Sequence, residues 1–241
     1  MRFDILTLFP QMVDTVLESS IIGRARENGL ISVFTHDIRD YTLDKHKKTD
    51  DTPYGGGKGM LMSTQPICDC YDDVCKKLPE GSKKVIYASP RGRIFNHEVA
   101  KELSQFDNII ILCGHYEGVD ERVIEEIVDE EISIGDYVLT GGEIPACIIV
   151  DAVSRLVDGV LSDRECYEKE SVASGLLEYP QYTKPRVFRG REVPEVLLSG
   201  HHENIDKWRL EKSLEITKER RPDLYEKYIL ANPQKEKKKK K

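Results

Sequence analysis

Along the first 160 residues, short apolar runs alternate with stretches of helical period. Residues 3–9 read as a strand. Pro10 opens a helical stretch through Leu17, at a position where a missing N–H costs little. Ser20 is placed to cap a second helix ending before Gly29, a residue suited to the left-handed position after a helix. Residues 30–35 form a second predicted strand, and Thr64 and Pro66 open a helix to about Lys77. Residues 85–88 and 109–113 are continuous apolar runs, as expected of parallel strands covered on both faces. Helices follow at 96–104 and 120–128. This alternation predicts an α/β layer structure.

Beyond residue 160 the pattern changes. Residues 161–174 are polar, mixed in charge and weakly periodic, as in an interdomain linker. Pro180, Pro185 and Pro194 then punctuate a loop-rich segment. A helix is predicted over 203–218, with Ile205 and Trp208 on one face, and a shorter one after Pro222. The chain ends in KEKKKKK, a disorder signature. The predicted organisation is a domain over 1–160, a linker over 161–174, a mostly helical domain over 175–234 and a tail over 235–241.

One stretch departs from simple amphipathicity: residues 131–155, EISIGDYVLTGGEIPACIIVDAVSR. Thr140 and Glu143 have the T-x-x-E spacing of a capping box. Gly141 and Gly142 allow a sharp turn and close approach of a ligand to the backbone. In the apolar helix that follows, Asp151 and Arg155 are four residues apart on one face. Such a pair on a largely buried helix is expensive unless something uses it.

Charge sharpens the division of the chain. Its net charge is −7, but residues 1–160 carry 17 basic and 28 acidic side chains, against 19 and 15 in residues 161–241. Six tail lysines supply most of that asymmetry, although Lys184, Arg186, Arg189 and Arg191 also cluster with no acid between them. Local patches of this kind decide phosphate contact. Six cysteines lack zinc spacing and His partners, so free thiols in a reducing compartment are expected and a metal site is not. No signal peptide or membrane-length apolar run is visible. A soluble, cytoplasmic protein with no membrane partner is expected.

Three glycine-bearing loops carry candidate chemistry: residues 54–60, 113–118 and 140–143. None is a P-loop or a G-x-G-x-x-G fingerprint. Two of them follow apolar strand segments, at the strand ends where open α/β sheets bind ligands. His115 is a candidate acid or base, although a strand-end histidine is more often simply hydrogen-bonded. The 44–51 loop reads as a solvated surface loop, and Trp208 as a core residue rather than a stacking platform.

YGGGKGMLM, SPRGR, LCGHYEGVDERV, IGDYVLTGGE, SRLVDGVL and SGLLEYPQYTKP occur in this order, between ILTLFP at residue 5 and RRP ending at residue 222. Together they resemble the bacterial tRNA (guanine-N1)-methyltransferases that modify guanosine 37. Only the lysine tail lies outside the resemblance. It implies a parallel-sheet catalytic domain with a deep trefoil knot (SPOUT class), plus a small, mostly helical domain that binds tRNA. S-adenosylmethionine is the implied methyl donor, magnesium a candidate second cofactor, tRNA the substrate and a homodimer the implied assembly; DNA is not an expected partner. By matching motifs, the cofactor contacts would be Ala88, Ser89, Pro90, Gly114, Tyr116, Glu117, Ile134, Gly135, Tyr137, Leu139, Gly141, Gly142 and Pro145.

The resemblance also implies a general base. The family motif D-S-x-x-x-G-L-L reads here from Glu170 to Leu177, so the carboxylate is kept with one more methylene of reach. Glu168, two residues earlier, is the alternative. Arg155 would orient that carboxylate or stabilise charge developing on the base. Rival readings are a knotted methyltransferase acting on the ribose 2′-hydroxyl and a non-catalytic RNA-binding module.

Overall fold

The computed structural model describes residues 1–162 and 171–233; Glu165, Glu168, Glu170, Cys166 and the lysine tail lie outside them. Chain contacts divide the protein after Ser162 into two compact units.

The first unit is built on a five-stranded sheet whose paired neighbours all run parallel. Its strands are β1 (Arg2–Thr7), β2 (Ser32–Asp37), β5 (Lys83–Ile94), β6 (Asn108–Cys113) and β7 (Glu130–Ser133). They lie in the order β2-β1-β6-β5-β7. A separate short ribbon pairs β3 (Asp50–Asp51) with β4 (Leu61–Met62). The helices are α1 (Pro10–Leu17), α2 (Ser20–Glu27), α3 (Thr64–Lys77), α4 (His97–Leu103), α5 (Glu121–Ile127) and α6 (Glu143–Ser154).

The alternation along β6 shows why both faces are covered. Ile109, Ile111 and Cys113 join one core with Val13, Leu17, Ile22, Val99, Ile149 and Val153. Ile110 and Leu112 join the other with Ile67, Val74, Val123 and Ile127. Successive side chains point to opposite faces, so a strand sandwiched between helix layers is apolar throughout.

Local signals set most boundaries. Asn96 caps α4 by accepting from the Val99 N–H at 3.0 Å, and Asp120 accepts from the Arg122 N–H at 3.0 Å. The end of α2 is a Schellman motif: Gly29 has φ +69°, Leu30 N–H donates to Ala25 O at 2.9 Å and Gly29 N–H to Arg26 O at 3.0 Å. Three expectations need correction. Ser19, not Ser20, precedes α2, and its side chain makes no capping bond. The second strand begins at Ser32 rather than residue 30, because Leu30 and Ile31 close the preceding helix. Finally, β5 continues past Ala88, with a register shift between Ala88 and Arg93.

In the second unit, α7 (His202–Arg220) and α8 (Pro222–Ala231) pack together, beside a hairpin of β8 (Val187–Phe188) and β9 (Arg191–Glu192). Leu176, Ser213, Leu214 and Thr217 are buried among its described residues, and Leu177 N–H donates to Thr217 Oγ1 at 2.8 Å. Trp208 is half-buried, its ring centroid 6.5 Å from that of Tyr182, so it is not the core residue expected. Lys184, Arg186, Arg189 and Arg191 are all exposed.

Candidate active site

A cleft of about 170 Å³ opens at the carboxyl ends of β6 and β7, beside the middle of β5. Three segments wall it: the continuation of β5 through Ala88, Ser89 and Pro90; the turn after β6 with Gly114, Tyr116 and Glu117; and the crossing from β7 into α6. That crossing supplies Ile134, Gly135, Tyr137, Leu139, Gly141, Gly142 and Pro145. All thirteen candidate cofactor residues therefore line one cleft, with Tyr87, His115, Ser133, Val138 and Thr140 among their neighbours.

Glycines at the join of these segments are sterically required. A Cβ on Gly142 would sit 2.7 Å from Cys113 Cα and 3.0 Å from Gly114 N. The Gly142 N–H donates to Gly114 O at 3.0 Å, and Gly141 forms an isolated antiparallel bridge with His115. On Gly114, a Cβ would lie 2.7 Å from the Tyr87 hydroxyl. The chain after β7 thus returns across the end of β6, two positions away in the sheet. The third glycine loop, 54–60, stays outside the cleft wall but supports it: Glu117 N–H donates to Met60 O at 3.0 Å.

The expected Thr140–Glu143 capping box does not form. The helix starts one residue after Gly142, with no side-chain cap. Glu143 is therefore at the first helical position and turns inward, 1% exposed. Its Oε1 accepts from Thr7 Oγ1 at 2.6 Å and its Oε2 bonds His115 Nε2 at 2.9 Å. His115 is hydrogen-bonded, as the plainer reading had it, but to a buried carboxylate. The charge of Glu143 is felt nearby: burial first, then Glu143, pushes the Cys147 thiol up to about 11, and the same two causes raise the Cys113 thiol. Both are inert thiols. The five described cysteines are free.

Asp151 and Arg155 are not the buried pair expected of this helix. Asp151 is exposed, so the buried charge of this helix is Glu143. Arg155 closes the last turn of α6 and does not line the cleft. Ten residues of helix separate it from Pro145, about 15 Å at 1.5 Å per residue. Glu170 lies outside the described residues.

Few charged side chains line the cleft. Among the described residues its wall holds one exposed carboxylate, Glu117, and no lysine or arginine. Burial, then Glu131, raises the Tyr87 hydroxyl, which stays protonated.

Comparison with known proteins identifies the family. The profile of tRNA (Guanine-1)-methyltransferase TrmD matches residues 1–227. The tRNA (guanine-N(1)-)-methyltransferase of Ruminiclostridium cellulolyticum is 58% identical over 227 residues, covering 94% of this chain and 97% of that protein. Its namesake from Lachnospira eligens is 57% identical over 229 residues, covering 95% and 97%. One from Clostridium botulinum is 58% identical over 235 residues, covering 98% and 96%. The chain belongs to the tRNA (guanine-1)-methyltransferase family.

Proposed function

We propose that this tRNA (guanine-N1)-methyltransferase binds S-adenosylmethionine in the cleft and methylates N1 of guanosine 37. The observation that carries the reading is the cleft itself: three backbone segments meet at glycines, with no lysine or arginine among the described residues of the wall, where a cationic sulfonium would be held. When bound, S-adenosylmethionine supplies an electrophilic methyl group. The protein's task is then to place the guanine and remove its proton. Neutral guanine N1 bears a hydrogen, and Glu170 is the proposed base, with Glu168 the alternative. The target base must leave its stack to enter such a site.

The 15 Å of helix between Pro145 and Arg155 supports a site shared by two copies. An arginine side chain cannot span that distance, so Arg155 would serve the cleft of a second copy. Met12 and Val16 on α1 and Ile144 and Ile148 on α6 are exposed apolar residues on two helices that pack together, a face suited to a homodimer. The return of the 134–142 segment across β6 supports the trefoil knot. The second unit, with its exposed basic residues, is the proposed tRNA grip, and action on tRNA supports a cytoplasmic enzyme. No described helix is long and apolar enough to cross a membrane. No described cluster of three or more His, Cys, Asp or Glu residues forms a metal cage, so a magnesium requirement would rest on substrate phosphates.

Methylation of unmodified tRNA transcripts, followed by mass-spectrometric mapping, tests the reading. The expected product carries one methyl on N1 of guanosine 37. A methyl on ribose, or cofactor-independent tRNA binding without product, would replace it with one of the rivals.

A further inference from the structure

Glu143 is 1% exposed, and the proposed methyl transfer gives it no role. It nevertheless ties two walls of the cleft, the turn after β6 through His115 and the start of α6 to which it belongs, to the end of β1 through Thr7. Thr7 is fully buried, and its Oγ1 in turn accepts the Phe9 N–H at 2.9 Å. A carboxylate can only accept, so His115 donates through Nε2. The ring of His115 also rests on Phe9, 4.8 Å between centroids.

The residue after His115 makes this network consequential. Tyr116 is a bulky non-glycine residue at φ +59°, a conformation that persists only where surrounding structure enforces it. Tyr116 and Glu117 both face the cleft. Gly141 lies directly over the pair: a Cβ there would come within 2.5 Å of Glu143 Oε2.

We propose that Thr7, Glu143 and His115 form a buried strut that holds Tyr116 and Glu117 in position for the cofactor, making Glu143 and His115 positioning residues. This rests on the methyltransferase reading, and the two fail separately. Methyl transfer by the unaltered enzyme tests the reaction, whereas the ratio of variant to unaltered enzyme tests the strut.

Glu143→Gln keeps both bonds, since its carbonyl accepts from Thr7 and its amide donates to the other His115 tautomer. Its kcat and its KM for S-adenosylmethionine are expected within threefold of the unaltered values. Glu143→Leu removes both bonds and is expected to raise that KM at least tenfold, with kcat lowered less than threefold. Should Glu143→Leu fail to fold, His115→Phe decides, because it keeps the ring on Phe9 and loses only the nitrogens; the same rise in KM is expected. A folded Glu143→Gln protein as impaired as Glu143→Leu, or an unchanged KM in His115→Phe, would overturn the strut.

Discussion

Gly142→Ala is the smallest change that tests how the cleft is assembled. The backbone at Gly142 has φ −85° and ψ −4°, which alanine adopts freely, so conformational strain is not at issue. The obstacle is space. The added Cβ would meet Cys113 Cα at 2.7 Å, Gly114 N at 3.0 Å and Cys113 Cβ at 3.1 Å, two of them backbone atoms with no rotamer to change. Restoring ordinary contact near 3.4 Å moves the start of α6 roughly 0.7 Å from the end of β6, and overpacking of this kind costs about 2 kcal/mol. For a unit of this size that corresponds to a melting temperature lower by about 4–8 °C. Gly114 and Gly142 both line the cleft, so the same shift misplaces its two walls relative to each other. Displacements near 1 Å cost up to about a hundredfold in rate. Hence kcat/KM should fall about 10- to 100-fold. Thermal denaturation, calorimetry with S-adenosylmethionine and a tRNA methylation assay on one preparation give all three quantities. A melting temperature within 1 °C and unaltered affinity would refute the close packing of these segments. The test also refines the use of glycine variants: loss of binding on substituting Gly142 reports protein–protein contact before cofactor contact.

Burial raises the Asp4 carboxyl, but bonds from His36 (2.8 Å) and Arg2 (2.7 Å) outweigh it and hold it below the usual range. A lowered native pKa stabilises fully above the unfolded value, about 3.9, and that stability is lost as pH falls through the native value. Asp4→Asn should therefore cost about 3 kcal/mol in urea denaturation at pH 7, a gap that narrows below about pH 4. Glu170→Gln should lower turnover strongly while sparing cofactor affinity in calorimetry, and Glu170→Asp should keep substantial activity; a crippled Glu168→Gln beside a healthy Glu170→Gln would reverse the assignment. Mixing Arg155→Ala with Glu170→Gln should restore activity if the residues act from different copies, and verified heterodimers without activity would exclude that pairing. Deleting residues 235–241 should weaken tRNA binding modestly and flatten its salt dependence through fewer released counterions, with the methylated position unchanged. Parallel affinity-versus-salt curves for intact and truncated chains would show that the tail does not touch RNA.

The elements whose limits were legible from sequence are those with local start signals. Pro10 and the Thr64–Pro66 turn mark the beginnings of α1 and α3 because a first helical turn leaves N–H groups unbonded within the helix. The second strand begins two residues later than its apolar run for an equally local reason. Leu30 and Ile31 are apolar, but they serve the cap of α2, and no apolar count separates cap from strand. The continuation of β5 through Ser89, Pro90, Arg91 and Gly92 was hidden by polarity. Glycine at 92 is needed because the Glu131 backbone passes where its Cβ would be, a contact set by β7 some forty residues later. The cleft was legible in part, since glycines mark backbone approaches. Its cofactor was not: only the run of whole motifs pointed to S-adenosylmethionine.

Glu143 shows where local reading reaches its limit. The T-x-x-E spacing is real, yet the helix starts at Glu143 itself, so the carboxylate is at the first position rather than the third. Two residues of shift rotate a helical side chain by about 200°, from solvent toward the core. What decides the shift is Gly142 packing on Cys113 and Gly114, a long-range contact that needs β6 in place. The same helix then argues against a self-sufficient subunit. Its first turn walls the cleft, while Arg155 ends it about 15 Å away, too far for one side chain to bridge. One helix thus separates the cleft from the arginine that the proposed reaction would use. If Arg155 acts in that reaction, it acts on a neighbouring copy's cleft, and the exposed apolar residues of α1 and α6 are where that copy would sit.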